Sequence, residues 1–164
     1  MEPQSSHPNW QPMTHELLRE LLHSNEDAVQ FYLHIARWSQ VYDDLIDGDK
    51  PVSPDALHTF VWRMLFAIPL NPFFNTHQDT LRPLIMTGIL NWVAANEMEK
   101  SGSVEELRVA HVTRYSVGDV LLACMVLTGG VEHARANARR ASLMVRDETW
   151  QHYATEKKAS DVDI

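Results

Sequence analysis

The chain has 164 residues, of which 45% are hydrophobic and 22% are charged, and its formal net charge is −8. This length fits one domain that buries a core without a disulfide or a structural metal. The acidic balance disfavours general binding to nucleic acid, because that binding depends mainly on clustered Lys and Arg side chains.

The single cysteine and the apolar runs bear on the cellular compartment. Cys124 lies inside the apolar run 120–127, where a buried and inert thiol is expected. That run is shorter than the ~20 residues needed to span a bilayer. Residues 1–7 contain no basic region followed by an apolar one, so no secretory signal is predicted. The expected location is the cytoplasm.

The pattern of apolar residues and breakers predicts an all-α, single-domain bundle of five to six helices. Residues 1–12 are expected to form an irregular N-terminal arm, 13–157 the helical domain and 158–164 a flexible tail. No segment shows the sustained alternation of a β-strand. The helices are predicted at about 14–24, 25–48, 53–68, 83–100, 103–128 and 131–156.

Helix ends supply most of these boundaries. Ser24 with Asp27, and Ser103 with Glu106, have the spacing of a capping box. Ser53-Pro54 combines a cap with proline at the first helical position. Pro83 is expected in the first turn of the fourth helix, and the pair Gly129-Gly130 is expected to end the fifth.

Four aspartates, Asp43, Asp44, Asp47 and Asp49, form the sharpest chemical signal. Three of them occupy positions i, i+1 and i+4 of the second helix, so their carboxylates can converge. Their mutual repulsion, at the unfavourable end of the helix dipole, costs stability unless a cation compensates it. Mg²⁺ suits such a site, because it takes one or two carboxylates, keeps several waters and bridges to phosphates.

The same aspartates have a second interpretation. They lie on the side of the helix opposite its apolar stripe of Phe31, Trp38 and Tyr42, as a solvated acidic face would. Leu33 and Ala36 share the aspartates' side earlier in the helix. This pattern favours a helix covered on two sides, with the aspartates at the mouth of a cleft.

The segment 43–47 resembles the Asp-Asp-x-x-Asp motif of class I isoprenoid synthases, whose aspartates hold Mg²⁺ against a substrate diphosphate. Asn91, Ala95 and Glu99 resemble that family's second metal motif, with Ala95 in place of the hydroxyl ligand. The resemblance implies metal ligation by Asp43, Asp44, Asp47, Asn91 and Glu99. Residues 42–53 also resemble small uncharacterised proteins of tailed bacteriophages, which would imply a host-cytoplasm setting.

The fifth predicted helix carries a polar ridge. His111, Tyr115 and Asp119 follow i, i+4 and i+8, with Arg114 beside them. His111 would act as general base or acid, held by Tyr115 or Asp119, and Arg114 would bind phosphate oxygens. The alternative is a structural histidine at the edge of the core.

The last predicted helix carries a basic strip, Arg135, Arg139 and Arg146, which would contact RNA or phosphate or pair with acidic neighbours. Arg146 and His152 also have the Arg-x₅-His spacing of HEPN-type ribonucleases, which would imply metal-independent RNA cleavage.

Three functions follow from these patterns. The first is a Mg²⁺-dependent protein, a hydrolase or transferase, that acts on or binds a phosphate or diphosphate ligand. The second is a non-enzymatic interaction protein, either a homodimer or a phage product that binds a host factor. The third is an HEPN-like ribonuclease.

Overall fold

A computed structural model describes residues 12–48, 50–101 and 103–157, and all regular secondary structure in these ranges is helical. The all-α prediction is therefore confirmed. The predicted arm up to residue 11, the tail 158–164 and Asp49 lie outside the described residues. The elements are α1 (His15–Leu21), α2 (Glu26–Asp47), α3 (Pro54–Trp62), a π-helical turn (Arg63–Ala67), α4 (Pro72–Ser101), α5 (Val104–Thr113), α6 (Val117–Val145) and α7 (Trp150–Glu156).

Side-chain caps start several of these helices. The hydroxyls of Ser53 and Ser103 accept hydrogen bonds from the amides three residues later, as predicted. For α2 the cap is Asn25, whose Oδ1 accepts from the Ala28 amide at 3.0 Å. The predicted cap, Ser24, instead has a positive φ of 58° in the turn before the helix. Gly48, with φ 67°, ends α2 where the sequence predicted.

The fourth predicted helix begins earlier than expected. The Asn71 side chain accepts from the Phe74 amide at 2.9 Å, and α4 starts at Pro72, which leaves Pro83 in the helix interior. The prediction placed Pro83 in a first turn because proline favours that position. The helix also has a kink at His77, where φ is −117°.

The fifth predicted helix is divided in two, and the sixth is divided differently from the prediction. A turn at residues 114–116 separates α5 from α6. The Gly129-Gly130 pair divides α6 into two helical segments, as predicted, because Gly130 has a non-helical φ of 79° and ψ of 174°. A second break follows Val145, and Thr149 caps α7 by accepting from the His152 amide.

Replacing Gly130 with alanine is expected to lower the free energy of unfolding by about 1–3 kcal/mol, because its φ and ψ lie in a region that only glycine adopts readily. Urea unfolding measures the loss. Gly88→Ala in α4 is the matched comparison, since a Cβ there meets the Ser116 Cβ at an ordinary 3.5 Å. That variant should gain up to about 1 kcal/mol, because alanine is the better helix former. Equal effects at both positions would contradict the strained kink.

Two apolar clusters hold the helices together. The larger joins α1, α2, α4 and α6 and includes the fully buried Leu18, Phe31, Leu81 and Leu121. The smaller joins α4, α5 and α7 and consists of Ala95, Leu107, Ala110 and Tyr153. The candidate site lies against the larger cluster, which contributes Tyr32, Ile35 and Val120 to its lining.

The apolar segment of α6 belongs to the larger cluster. Cys124 is buried there as predicted, and burial raises the pKa of its thiol. Val104–Glu156 contains a window apolar enough to cross a membrane, with a mean hydropathy of 1.3 and one third of it buried. Core helices pass the same test, and Leu121 and Met125 of α6 are fully buried in the core.

Candidate functional site: a cleft at the C-terminal end of α2

A cleft of about 900 Å³ lies between α2, α4, the turn before α6, and α7. The aspartates of α2 line it, as do Arg114, Tyr115 and Lys157. The prediction that the aspartates lie at the mouth of a cleft therefore agrees with the structure. A cleft of this size is large enough for a small-molecule ligand.

The three carboxylates have different partners. Asp43 Oδ1 accepts from the Trp92 indole N–H at 2.6 Å, and Asp47 Oδ1 accepts from the Asn96 amide at 3.3 Å. Asp44 Oδ1 lies 3.8 Å from Lys50 Nζ. The three aspartates do not each bring an oxygen within 4.8 Å of the others. They share one wall of the cleft, but they do not form the convergent site that the spacing suggested.

Asp47 is the least compensated member of the group. Partial desolvation and the neighbouring Asp43 carboxylate raise the pKa of Asp47, and these effects outweigh the positive charges of Lys157 and Arg114. A raised carboxyl pKa means that the ionised form is disfavoured where it stands. A cation bound at Asp47 would remove that cost.

The Arg114 guanidinium lies between the two predicted metal motifs. One of its nitrogens is 3.2 Å from Glu99 Oε1, and the other is 3.7 Å from Asp43 Oδ1. The side chain is only 18% exposed, so this bridge is partly desolvated. The protein's own cation, rather than a metal ion, links Asp43 to Glu99.

Glu99 is the centre of a buried polar cluster. Its Oε1 also accepts from the Tyr153 hydroxyl at 2.6 Å, and its Oε2 lies 2.8 Å from Lys157 Nζ. Burial raises the pKa of the Glu99 carboxyl, but the hydrogen bonds from Lys157 and Tyr153 and the charge of Arg114 outweigh it and lower the pKa overall. Both Glu99 oxygens are thus occupied, by Tyr153 of α7, by Lys157 directly after α7 and by Arg114 of the turn before α6.

The second metal motif is used for packing. The Asn91 side chain donates to the Ser116 hydroxyl at 3.0 Å, and Ala95 is fully buried in the smaller apolar cluster. Among the described residues that line the cleft, neither Asn91 nor Glu99 appears. Both predicted ligands lie behind the cleft wall, and Glu99 holds the side chains that form part of it.

The predicted polar ridge is interrupted by the turn between α5 and α6. Arg114 and Tyr115 face the cleft, whereas His111 and Asp119 are not among the described residues that line it. The interpretation as one continuous helical ridge was wrong, because α5 ends at Thr113 and Asp119 is an exposed residue of α6, the next helix.

His111 packs in an aromatic cluster with Tyr115, Trp150 and Tyr153, at centroid distances of 4.9–5.9 Å. Its Nε2 lies 3.3 Å from the Glu148 carbonyl oxygen, so Nε2–H donates to that oxygen. Burial lowers the pKa of His111, although the contact with Glu148 works in the opposite direction. The ring is neutral at pH 7 and joins the segment before α7 to α5.

The inner wall of the cleft is aromatic and carries two polar atoms without partners. Tyr32, Trp38, Tyr42 and Trp92 all line it. Within the described part of the chain, the Tyr32 hydroxyl and the Trp38 indole nitrogen are buried without a hydrogen-bond partner. Tyr32 is 0% exposed and Trp38 is 8% exposed. Buried groups of this kind normally have partners, so a ligand with hydrogen-bond acceptors would satisfy them.

Sequence reasoning missed the contribution of the chain's last described residues. Glu148, His152 and Glu156 each bring a ligand atom within 4.8 Å of the others, and Glu148 and Glu156 line the cleft opposite α2. Their i, i+4 and i+8 spacing is visible in the sequence. Lys157 carries no local signal, because its partner Glu99 belongs to a different helix.

The basic strip of Arg135, Arg139 and Arg146 contributes no side chain to the described lining of this cleft. Arg135 pairs with Glu132 at 3.1 Å, one turn earlier on the same exposed helix surface. Arg146 and His152 of the HEPN-like pattern lie on opposite sides of the break between α6 and α7. His152 contacts Glu148, whose hydrogen bond raises the pKa of His152.

No family model, curated protein or solved structure matches this chain.

Proposed function

We propose that the cleft binds a small phosphate-containing molecule together with Mg²⁺. One observation carries the proposal: three aspartates of α2 and the basic side chains of Arg114 and Lys157 line the same cleft from different elements. Acidic groups for the metal beside basic groups for the phosphate are the ordinary composition of a metal–phosphate site.

Asp44 and Asp47 are the proposed metal ligands. The Asp43 carboxylate already accepts from Trp92 and lies near Arg114. Asp47 carries the raised pKa that a bound cation would reverse. Two carboxylates are enough, because Mg²⁺ usually keeps several waters and takes its remaining ligands from the substrate phosphates.

The charge of the cleft explains why a metal is needed. Among the described residues that line it, six side chains are acidic and three are basic. These are Asp43, Asp44, Asp47, Asp147, Glu148 and Glu156, against Lys50, Arg114 and Lys157. A phosphate entering alone would meet net repulsion, whereas a divalent cation neutralises two of the carboxylates.

The aromatic inner wall would hold the remainder of the ligand. Tyr32 and Trp38 each offer a hydrogen-bond donor without a partner in the described chain, and both are nearly or fully buried. When the phosphates of such a ligand contact the metal, its other end would lie between the aromatic rings. That end would carry the hydrogen-bond acceptors for Tyr32 and Trp38.

The proposed function of the cleft is binding, without a catalytic step. The predicted base, His111, is enclosed by aromatic rings and is not among the described residues that line the cleft. A proton-transfer group must come within hydrogen-bond reach of the substrate, directly or through one water. The proposed setting is the cytoplasm, in keeping with the buried Cys124 thiol.

Titration calorimetry in which preformed magnesium pyrophosphate is injected into the protein, with the same MgCl₂ concentration in syringe and cell, tests the proposal. The wild-type protein should release or absorb heat with a 1:1 stoichiometry. The variant Asp44→Asn/Asp47→Asn should bind more than about 10-fold more weakly, since loss of metal ligands costs at least as much as loss of their outer partners.

The matched control is Asp79→Asn/Asp119→Asn, which removes two exposed carboxylates that do not line the cleft. Its net charge equals that of the Asp44→Asn/Asp47→Asn variant. This control should bind as the wild type does. Equal heats from all three proteins, or a loss shared by both double variants, would overturn the proposal.

A second candidate function is that of a non-enzymatic interaction protein, either a homodimer or a phage product that binds a host factor. One observation favours it: the exposed side chains of α3 and the π-helical turn are mostly large and apolar.

A further inference from the structure

The segment formed by α3 and the π-helical turn has no buried residue, although its sequence is mostly apolar. Seven large hydrophobic side chains in this segment and in the turn that follows it are 40–71% exposed: Leu57, Val61, Trp62, Met64, Leu65, Phe66 and Leu70. An amphipathic helix on a protein surface normally packs its apolar face against the core and buries such residues. In this chain the apolar side faces outward.

The exposed surface continues onto α4. Met86 and Leu90 are 59% and 60% exposed. Together with the segment 57–70 they present on the order of 1,000 Å² of apolar area, more than the few hundred Å² of a typical monomer patch. The area is close to the ~800 Å² that each partner contributes to a stable interface. We call this surface the α3–α4 face.

The α3–α4 face contains a groove as well as projecting side chains. The groove has a volume of about 420 Å³, and apolar residues of the π-helical turn and α4 line most of it, including Met64, Ile68, Ile85 and Ile89. Trp62 and Leu65, which are 63% and 62% exposed, project from the same short segment. Because the groove and the projecting side chains lie side by side, the side chains of one copy can fit the groove of a second copy.

We propose that the α3–α4 face binds the same face of a second copy of this chain, forming a two-fold symmetric dimer. In a two-fold interface each surface patch must supply both the projection and the groove, and this face supplies both. Its area matches half of a standard interface.

The groove of the α3–α4 face and the cleft share Ile35, Trp38, Ile85 and Ile89 as wall residues. Trp62 and Leu65 line neither cavity. A variant at these two positions should therefore lose the dimer and still bind Mg²⁺ and pyrophosphate, which separates failure of one proposal from failure of the other.

Sedimentation equilibrium of the full chain over a range of concentrations tests the dimer. The wild type should show twice the 18.8 kDa mass of one chain. Trp62→Glu/Leu65→Glu should weaken the association more than about 100-fold, because two central apolar contacts are replaced by charges. Val112→Glu/Val131→Glu is the matched control, since these residues are 57% and 59% exposed on other helices.

The control should remain dimeric, and circular dichroism should show the same helix content in all three proteins. A wild-type monomer at ~100 μM would overturn the proposal, as would a dimer that the Trp62→Glu/Leu65→Glu variant leaves intact. Co-sedimentation of a monomeric wild type with vesicles of phosphatidylcholine and phosphatidylglycerol would also overturn it, in favour of a membrane surface.

Discussion

Replacing Glu99 with alanine is expected to destabilise the protein by about 3–5 kcal/mol, the cost of removing one partner from a buried ion pair. The variant leaves Arg114 and Lys157, which are 18% and 25% exposed, without the carboxylate that both contact. It also removes the acceptor of the Tyr153 hydroxyl. Urea unfolding monitored by circular dichroism measures the loss.

Glu97→Ala is the matched control, because Glu97 lies on the same helix and its ion-pair partner among the described residues is Lys100, at 68% and 70% exposure. Exposed pairs of this kind contribute about 0–1 kcal/mol. The variant should therefore unfold almost as the wild type does. A loss at Glu99 no larger than the loss at Glu97 would contradict the role of Glu99 as the centre of the buried cluster.

The Glu99 contribution should also depend on pH in a defined direction. The pKa of Glu99 is lower in the folded protein than its ordinary value of 4.5. Its stabilisation is therefore fully present above about pH 4.5 and is lost as the pH falls through the folded pKa. The stability difference between wild type and Glu99→Gln should shrink as the pH is lowered from ~6 to ~3. A difference that grows on acidification would contradict this assignment.

Truncating Tyr153 to alanine should have the second large effect, a loss of about 3–5 kcal/mol, as expected when a large buried aromatic ring is removed. Tyr153 is 0% exposed, and its ring packs α7 against His111 of α5, beside Trp150 of its own helix. Tyr153→Phe keeps the ring and loses only the hydrogen bond to Glu99, with an expected cost of about 1.5–3 kcal/mol.

Hydrogen exchange of the α7 amides supplies the readout that distinguishes the two variants. Tyr153→Ala should expose α7 and the Lys157 side of the cleft before the rest of the protein unfolds. Tyr153→Phe should keep most of that protection. Equal losses in both variants would show that packing of the ring contributes little.

The sequence predicted the elements whose ends are set locally. The bounds of α2 follow from Asn25 and Gly48, which act on residues three or four positions away. The turn at residues 114–116 contains no glycine or proline. Ser116 there donates to the Thr113 carbonyl and accepts from Asn91 of α4, which is 25 residues earlier. A break stabilised by a distant helix leaves no local pattern to recognise.

In the candidate site, too, the sequence predicted the features that depend on neighbouring residues and missed those that depend on distant ones. The aspartates and Arg114 stood out because of their residue types and spacing, and the structure places them on one cleft. The role of Glu99 was not predictable, since Tyr153 is 54 residues away and the pairing requires α7 to fold back on α4. The resemblance to a known metal motif made Glu99 a predicted metal ligand, whereas the fold supplies it with Arg114 and Lys157 instead.

A crystal grown with MnCl₂ and inorganic pyrophosphate, and measured for anomalous scattering, tests the cleft proposal most directly. The proposal predicts a Mn²⁺ peak in the cleft about 2.0–2.6 Å from carboxylate oxygens of Asp44 and Asp47, with pyrophosphate between the ion and Arg114 or Lys157. A metal peak only at Glu148, His152 and Glu156, or no metal peak in the cleft, would contradict it.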